Sequence, residues 1–160
     1  MAGGLIILDR DGVINQDSDE FIKTPDEWVP LEGSLEAIAA LSSAGFEVAI
    51  ASNQSGIGRK LIDGPALEGI HRKMQRMVRE AGGDIGRIVF CPHHPDDGCQ
   101  CRKPAPGLLL DLSRHYGVAL VGVPIVGDSL RDIEAAIAVG GRPILVLTGN
   151  GQTTAEALRR

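Results

Sequence analysis

The chain has 160 residues, 43% of them hydrophobic and 3% aromatic, which is enough apolar material for one buried core and too little aromatic surface for a base-stacking platform. A net charge of -5 with no Lys/Arg block excludes the electrostatic footprint of a nucleic-acid binder. No apolar run is long enough to span a bilayer, and MAGGLIIL lacks the basic and apolar regions of an export signal, so a cytoplasmic protein is expected.

The first predicted element is the apolar strand GLIILD, which runs straight into Asp9 and Asp11 within LIILDRDGVIN. Asp-Gly between apolar stretches is a hairpin signal, but VINQDSDEF offers no second strand of matching alternation. The functional reading starts from repulsion. Two carboxylates held this close disfavour joint ionisation unless a cation lies between them or one keeps its proton. A hard Mg²⁺ ion takes one or two carboxylates together with phosphate oxygens, so the pair points to phosphoryl chemistry. Asp9 then attacks phosphorus and Asp11 handles a proton.

A helix over SLEAIAALSSAG follows, opened by Ser34 as its cap and ended by Gly45. The next strand, EVAIASN, delivers Ser52 and Asn53, and the loop NQSGIGRK adds Ser55 and two glycines that let backbone N–H groups approach an anion. Ser52, directly after the apolar run, is placed to hydrogen-bond a phosphoryl oxygen. After the helical pattern PALEGIHRKMQRMVREAG and the strand RIVFCP comes CPHHPDDGCQC. Three thiols and an imidazole at this spacing suit a closed, tetrahedral Zn²⁺ site, and an odd number of cysteines argues against a paired disulfide framework. His93 and His94 compete for the fourth position, and His93 is preferred.

CRKPAPG then presents Arg102 as a forked phosphate anchor and Lys103 as a point charge, both held over the site by the zinc-pinned loop. Beyond the helix APGLLLDLSRHYG, the strand VPIVGD ends at Asp128, and Asp128 or Ser129 caps a helix with Asp132 as a first-turn charge and Gly140–Gly141 at its end. RPILVLTG is the last strand. Alternation of about five apolar strands with helices predicts an α/β, doubly wound, Rossmann-like domain with a mainly parallel sheet. One domain over residues 1–160 is expected, with a zinc loop at 91–101 and no separate cap domain. If the strand ending at Asp128 lies beside the one ending at Asp9, a divalent cation can bridge their carboxylates.

Four motifs in order, DRDGVIN, SNQSGIGR, CRKP and GDSLRD, resemble those of the haloacid dehalogenase (HAD) superfamily of phosphatases across almost the whole chain. The zinc loop and GVIN…SNQSGI resemble its heptose-bisphosphate branch, with histidinol-phosphate phosphatases as near relatives. The resemblance implies Asp9 as the nucleophile that becomes an aspartyl-phosphate, Asp11 as general acid/base, and Ser52 and Lys103 as stabilisers of the phosphoryl group. It implies Mg²⁺ on the Asp9 and Asp128 carboxylates and the Asp11 backbone carbonyl, and Zn²⁺ on Cys91, His93, Cys99 and Cys101. Substrate contacts would come from Asp17, Ser18, Asp19, Glu20, Asn53, Gln54, Ser55 and Arg102. The expected partner is a small sugar phosphate, with neither nucleic acid nor membrane, bound by a monomer.

Overall fold

The computed structural model describes residues 3–160. Five strands, β1 (Gly4–Leu8), β2 (Phe46–Asn53), β3 (Ile88–Cys91), β4 (Pro124–Gly127) and β5 (Arg142–Leu145), form one sheet in the order β3-β2-β1-β4-β5, parallel throughout. Four helices lie between the strands, α1 (Ser34–Ser43), α2 (Gly64–Glu80), α3 (Gly107–Tyr116) and α4 (Leu130–Ala138), and α5 (Gly151–Leu158) follows β5. Because successive side chains of a strand point to opposite faces, the continuous apolar run of β1 feeds two cores at once. Ile6 and Leu8 join Ile38 of α1 and Leu67, Ile70, Met74 and Val78 of α2 on one face. Leu5 and Ile7 join Leu108, Leu109 and Leu112 of α3 and Ala135 and Ala136 of α4 on the other. The expected doubly wound sheet is present, and the hairpin alternative for DRDG fails because β1 has only parallel neighbours.

Chain direction across the sheet reverses at β1, which lies between β2 and β4. A crevice therefore opens beyond the carboxyl ends of β1 and β4, where ligands of such sheets bind. Register fixes what meets there: Leu8 pairs with Val126, and Asp9 N–H donates to the Val126 carbonyl at 2.9 Å. Between β1 and α1 the described chain holds one 3-10 turn, Pro25–Glu27, and no inserted cap domain.

One boundary differs from expectation. The N-cap of α1 is Gly33, at φ 85°, and its carbonyl accepts from Ala37 N–H at 3.0 Å. Ser34 is already helical, and its hydroxyl donates to the carbonyls of Ile14 (2.7 Å) and Leu31 (2.9 Å). That side chain ties the helix to the loop leaving β1, a use that competes with capping.

Candidate active site

The strand ends bring Asp9, Asp128, Asp132 and Lys103 together. Carboxylate oxygens of Asp9, Asp128 and Asp132 lie within 4.8 Å of one another. Lys103 Nζ is buried among them, 2.8 Å from Asp132 Oδ1, 3.4 Å from Asp9 Oδ1, and donating to the Ala51 carbonyl at 2.6 Å. Burial acts to lower its pKa, but Asp9 and Asp132 outweigh that and raise it, so the ammonium stays charged.

Asp132 is spoken for on both oxygens. Oδ1 takes the Lys103 pair, while Oδ2 accepts from Asp128 N–H, Ser129 N–H and Ser129 Oγ in a reciprocal capping box that opens α4. Burial opposes ionisation there, and Lys103 and the cap bonds nevertheless hold the carboxyl below its usual range. Asp128 accepts Asn150 N–H on Oδ2 at 2.9 Å, and its Oδ1 makes no protein hydrogen bond among the described residues. Asp9 is raised well above its usual value by burial and by Asp132, Asp11 and Asp128, with Lys103 opposing. Asp128 is pushed up to about 6, chiefly by burial. A divalent cation between Asp9 and Asp128 would relieve this excess of negative charge, and oxygen donors are what Mg²⁺ requires. The residues fit that ion, with Asp132 serving Lys103 instead. Gly12 makes the fit possible: at φ 83° it lies so close to the Asp128 carboxylate that a Cβ would overlap it.

Asp11 is oriented differently. Its Oδ1 accepts Arg10 Nε (2.9 Å), Arg10 Nη2 (2.8 Å) and Asn15 Nδ2 (2.9 Å), and its Oδ2 accepts Gln54 Nε2 (3.0 Å). Burial acts to raise this carboxyl, and Arg10, Asn15 and Gln54 together bring it below the usual range. Gln54 Nε2 also donates to Ser52 Oγ at 2.7 Å, linking the β2 end to the second aspartate. Asn53 clasps the Lys103 backbone, donating to its carbonyl (3.2 Å) and accepting its N–H (3.0 Å).

A cleft of about 270 Å³ lies over these groups, lined by Asp9, Asp11 and Asp128 at its base and by Asp17, Ser18, Asp19, Asn53, Gln54, Ser55 and Arg102 above. Ser52 and Lys103 are buried behind the lining. Glu20 lies outside it, its N–H donating to Ser18 Oγ in a local turn. Sequence reasoning missed Arg59, Arg131, Phe21, Ile22 and Asn150, which also face the cleft. Burial and the neighbouring cations Arg131 and Arg59 lower the Arg102 pKa, which marks a convergence of guanidiniums on one rim. It also left Asp132 as a helix-start charge, although its place four residues after Asp128 puts it on the first turn facing the same strand end.

The cysteine cluster assembles beside the cleft. Cys91 ends β3 opposite Asn53 of β2, and Cys91, His93, Cys99 and Cys101 offer four donor atoms within 4.8 Å of one another. Their contacts run from 2.8 Å (Cys101 to Cys91) to 3.5 Å (Cys91 to Cys99), and His93 Nδ1 is 3.2 Å from Cys101 Sγ. Zn–S bonds of about 2.3 Å give tetrahedral edges of about 3.7 Å, so a small expansion seats Zn²⁺ in this S₃N set. His94 is engaged elsewhere, its Nδ1 accepting Asp96 N–H as the cap of a 3-10 turn. Gly58 presses on this loop backbone to backbone: a Cβ there would lie 2.5 Å from His94 N and 2.7 Å from the Pro92 carbonyl oxygen.

Residues 5–129 match the family model for polynucleotide kinase 3 phosphatase, and residues 100–160 match a HAD-hydrolase-like model. A B. bronchiseptica structure described as D,D-heptose 1,7-bisphosphate phosphatase complexed with magnesium and phosphate superposes with TM-score 0.94 at 57% identity, covering 96% of this chain and 86% of that one. Sheet, motifs and these matches define a phosphatase of the HAD class. D-glycero-beta-D-manno-heptose-1,7-bisphosphate 7-phosphatases from Pseudomonas aeruginosa (57% identical; 96% of this chain, 86% of the relative) and Bordetella bronchiseptica (58%; 94% and 84%) are similar to this chain over those spans. The chain belongs to this heptose-bisphosphate phosphatase family.

Proposed function

We propose that the chain hydrolyses the 7-phosphate of D-glycero-β-D-manno-heptose 1,7-bisphosphate in a Mg²⁺-dependent reaction, feeding ADP-heptose and lipopolysaccharide-core precursors. The observation that carries the chemistry is the pairing of Asp9 with Lys103 at 3.4 Å beside Asp128, at the open end of β1. The sugar follows from the activity named for relatives that match this chain over most of its length. Mg²⁺ held by the Asp9 and Asp128 carboxylates and the Asp11 carbonyl would offset charge on the phosphoryl oxygens. Lys103 and Ser52, both buried behind the cleft lining, add fixed positive charge and a hydroxyl dipole without reorganising.

In the first step an Asp9 carboxylate oxygen bonds to phosphorus while the bond to the sugar oxygen breaks, and Asp11, ionised in the free site and loaded with a proton as the negatively charged phosphoryl group enters the cleft, gives that proton to the leaving alkoxide. In the second, Asp11 takes a proton from water as that water attacks phosphorus and the Asp9–phosphorus bond breaks, releasing inorganic phosphate. The convergence of Arg59, Arg102 and Arg131 on one rim supports a second anionic group on the substrate. Zn²⁺ on Cys91, His93, Cys99 and Cys101 has a structural part, holding the loop that leads to Arg102 and Lys103.

Phosphate release with Mg²⁺ from the heptose bisphosphate, histidinol phosphate and a 3′-phosphorylated oligonucleotide is the test. Fastest turnover of the bisphosphate is expected, with Asp9→Asn inactive yet folded. Preference for histidinol phosphate or the oligonucleotide refutes the substrate, and undiminished release by Asp9→Asn refutes the mechanism.

A further inference from the structure

Arg10 is the residue between the two aspartates, and its side chain is fully buried. A buried guanidinium costs several kcal/mol unless its donors are matched, so what it meets is informative. Nε and Nη2 converge on a single oxygen, Asp11 Oδ1, which also accepts Asn15 Nδ2. Nη2 further reaches Gln54 Oε1 at 3.3 Å, which sets the amide so that Gln54 Nε2 faces Asp11 Oδ2 and Ser52 Oγ. Nη1 meets His71 Nε2, on α2, at 3.2 Å. Since arginine only donates, His71 Nε2 accepts here and the imidazole is the neutral Nδ1–H tautomer.

The two oxygens of Asp11 are therefore unequal. Three donors saturate Oδ1, whereas Oδ2 meets one amide, and Asp11 itself lines the cleft. We propose that Arg10, braced from α2 by neutral His71, is a positioning residue that occupies Asp11 Oδ1 and thereby makes Oδ2 the oxygen that carries the transferred proton. This rests on the proton-handling part given above to Asp11. In the first half-reaction Oδ2–H protonates the departing alkoxide as the sugar–phosphorus bond breaks and Asp9 bonds to phosphorus. In the second, Oδ2 takes a proton from the attacking water as the Asp9–phosphorus bond breaks. Lysine in place of Arg10 keeps a charge but cannot fork onto Oδ1 while also reaching Gln54 and His71.

The experiment compares wild type with Arg10→Lys on two substrates, the heptose bisphosphate and 4-nitrophenyl phosphate, in the presence of Mg²⁺. The nitrophenolate leaving group needs no proton, so only the second half-reaction then depends on Asp11. Arg10→Lys is expected to lose about 10²-fold in kcat on the sugar with KM little changed, the scale of misplaced acid–base catalysis. With 4-nitrophenyl phosphate it is expected to release one rapid equivalent of nitrophenolate and then turn over slowly. Wild-type kcat in Arg10→Lys, or loss of the rapid equivalent together with turnover, overturns the proposal. Should Arg10→Lys fail to fold, His71→Leu against His71→Gln decides: glutamine keeps an acceptor for Nη1 and restores the kcat that leucine loses, and equal kcat in the two overturns it. A wild type inactive on both substrates overturns the assignment of Asp11 and this inference with it, whereas an active wild type indifferent to these substitutions overturns the inference alone.

Discussion

Replacing Lys103 by methionine, close to it in volume, removes one charge from a buried set of four charged groups. Lys103 is 3% exposed and pairs with Asp132 at 2.8 Å and Asp9 at 3.4 Å, so the change strands two carboxylates already held in a desolvated site. Breaking a buried pair by deleting one partner costs about 3–5 kcal/mol, and that loss is expected at pH 7. The sign of its pH dependence follows from the same geometry. Without Lys103 only the cap bonds on Oδ2 oppose the burial of Asp132, and Asp9 loses the one cation that restrained its upward shift, so both folded-state pKa values rise. In the unfolded chain both ionise near about 3.9. A carboxyl raised on folding exacts its cost at neutral pH and is relieved as the pH falls toward the unfolded value, so the deficit of Lys103→Met relative to wild type shrinks between pH 7 and about 4. Urea unfolding of both proteins across that range measures it. A deficit under about 1 kcal/mol, or one that stays constant with pH, would refute the buried-charge account. Phosphatase activity should fall by at least about 10²-fold in the same variant, since a fixed positive charge aimed at the phosphoryl group is lost.

On the proposed zinc assignment, chelation followed by saturating Mg²⁺ should speed hydrogen exchange in residues 91–101 and lower activity without touching a reacting group; a chelated protein with full activity and unchanged exchange would defeat that prediction. Gly12→Ala should cost about 1–2 kcal/mol for an L-residue at φ 83°. It should also raise the Mg²⁺ concentration needed for half-maximal rate, by displacing the Asp128 carboxylate; an unaltered Mg²⁺ requirement would count against it. His71 is lowered to about 4, first by burial and then by Arg10. Stability contributed by the neutral ring is present above the unfolded value of about 6.5 and declines as pH falls from there to about 4, on the order of 3 kcal/mol in all. His71→Gln should flatten that part of the profile in acid unfolding, and an equally steep decline in the variant would refute it.

The sheet was legible because continuous apolar runs flanked by helical periods leave few topologies open, and Asp9, Ser52 and Asp128 stand out as the polar residues that end those runs. Cys91, Cys99 and Cys101 were legible because dense thiol spacing has few other uses, but the choice of His93 over His94 depends on which ring faces inward. Asp132 was read as a first-turn helix charge, and that local explanation hid both its reciprocal cap with Ser129 and its pairing with Lys103, a contact between segments far apart in the chain. Arg10 and His71 carry no spacing signal at all: an arginine beside two aspartates resembles a surface charge, and a lone histidine in a helix resembles many others. Arg59 and Arg131 were missed for a like reason, since only folding brings them to the rim with Arg102.

The central place of β1 has a consequence for how the protein comes into being. β1 leads directly into Asp9, but the groups that make Asp9 tolerable in a buried setting, Lys103 and the strand ending at Asp128, are made much later along the chain. Pairing β1 with β2 can precede them, whereas pairing it with β4 cannot. Such non-local closure is slow and leaves one edge of β1 unpaired during synthesis. Asp9, the residue proposed as nucleophile, therefore lies beside an open edge of β1 until β4 has been made, and the site closes only when that later strand pairs.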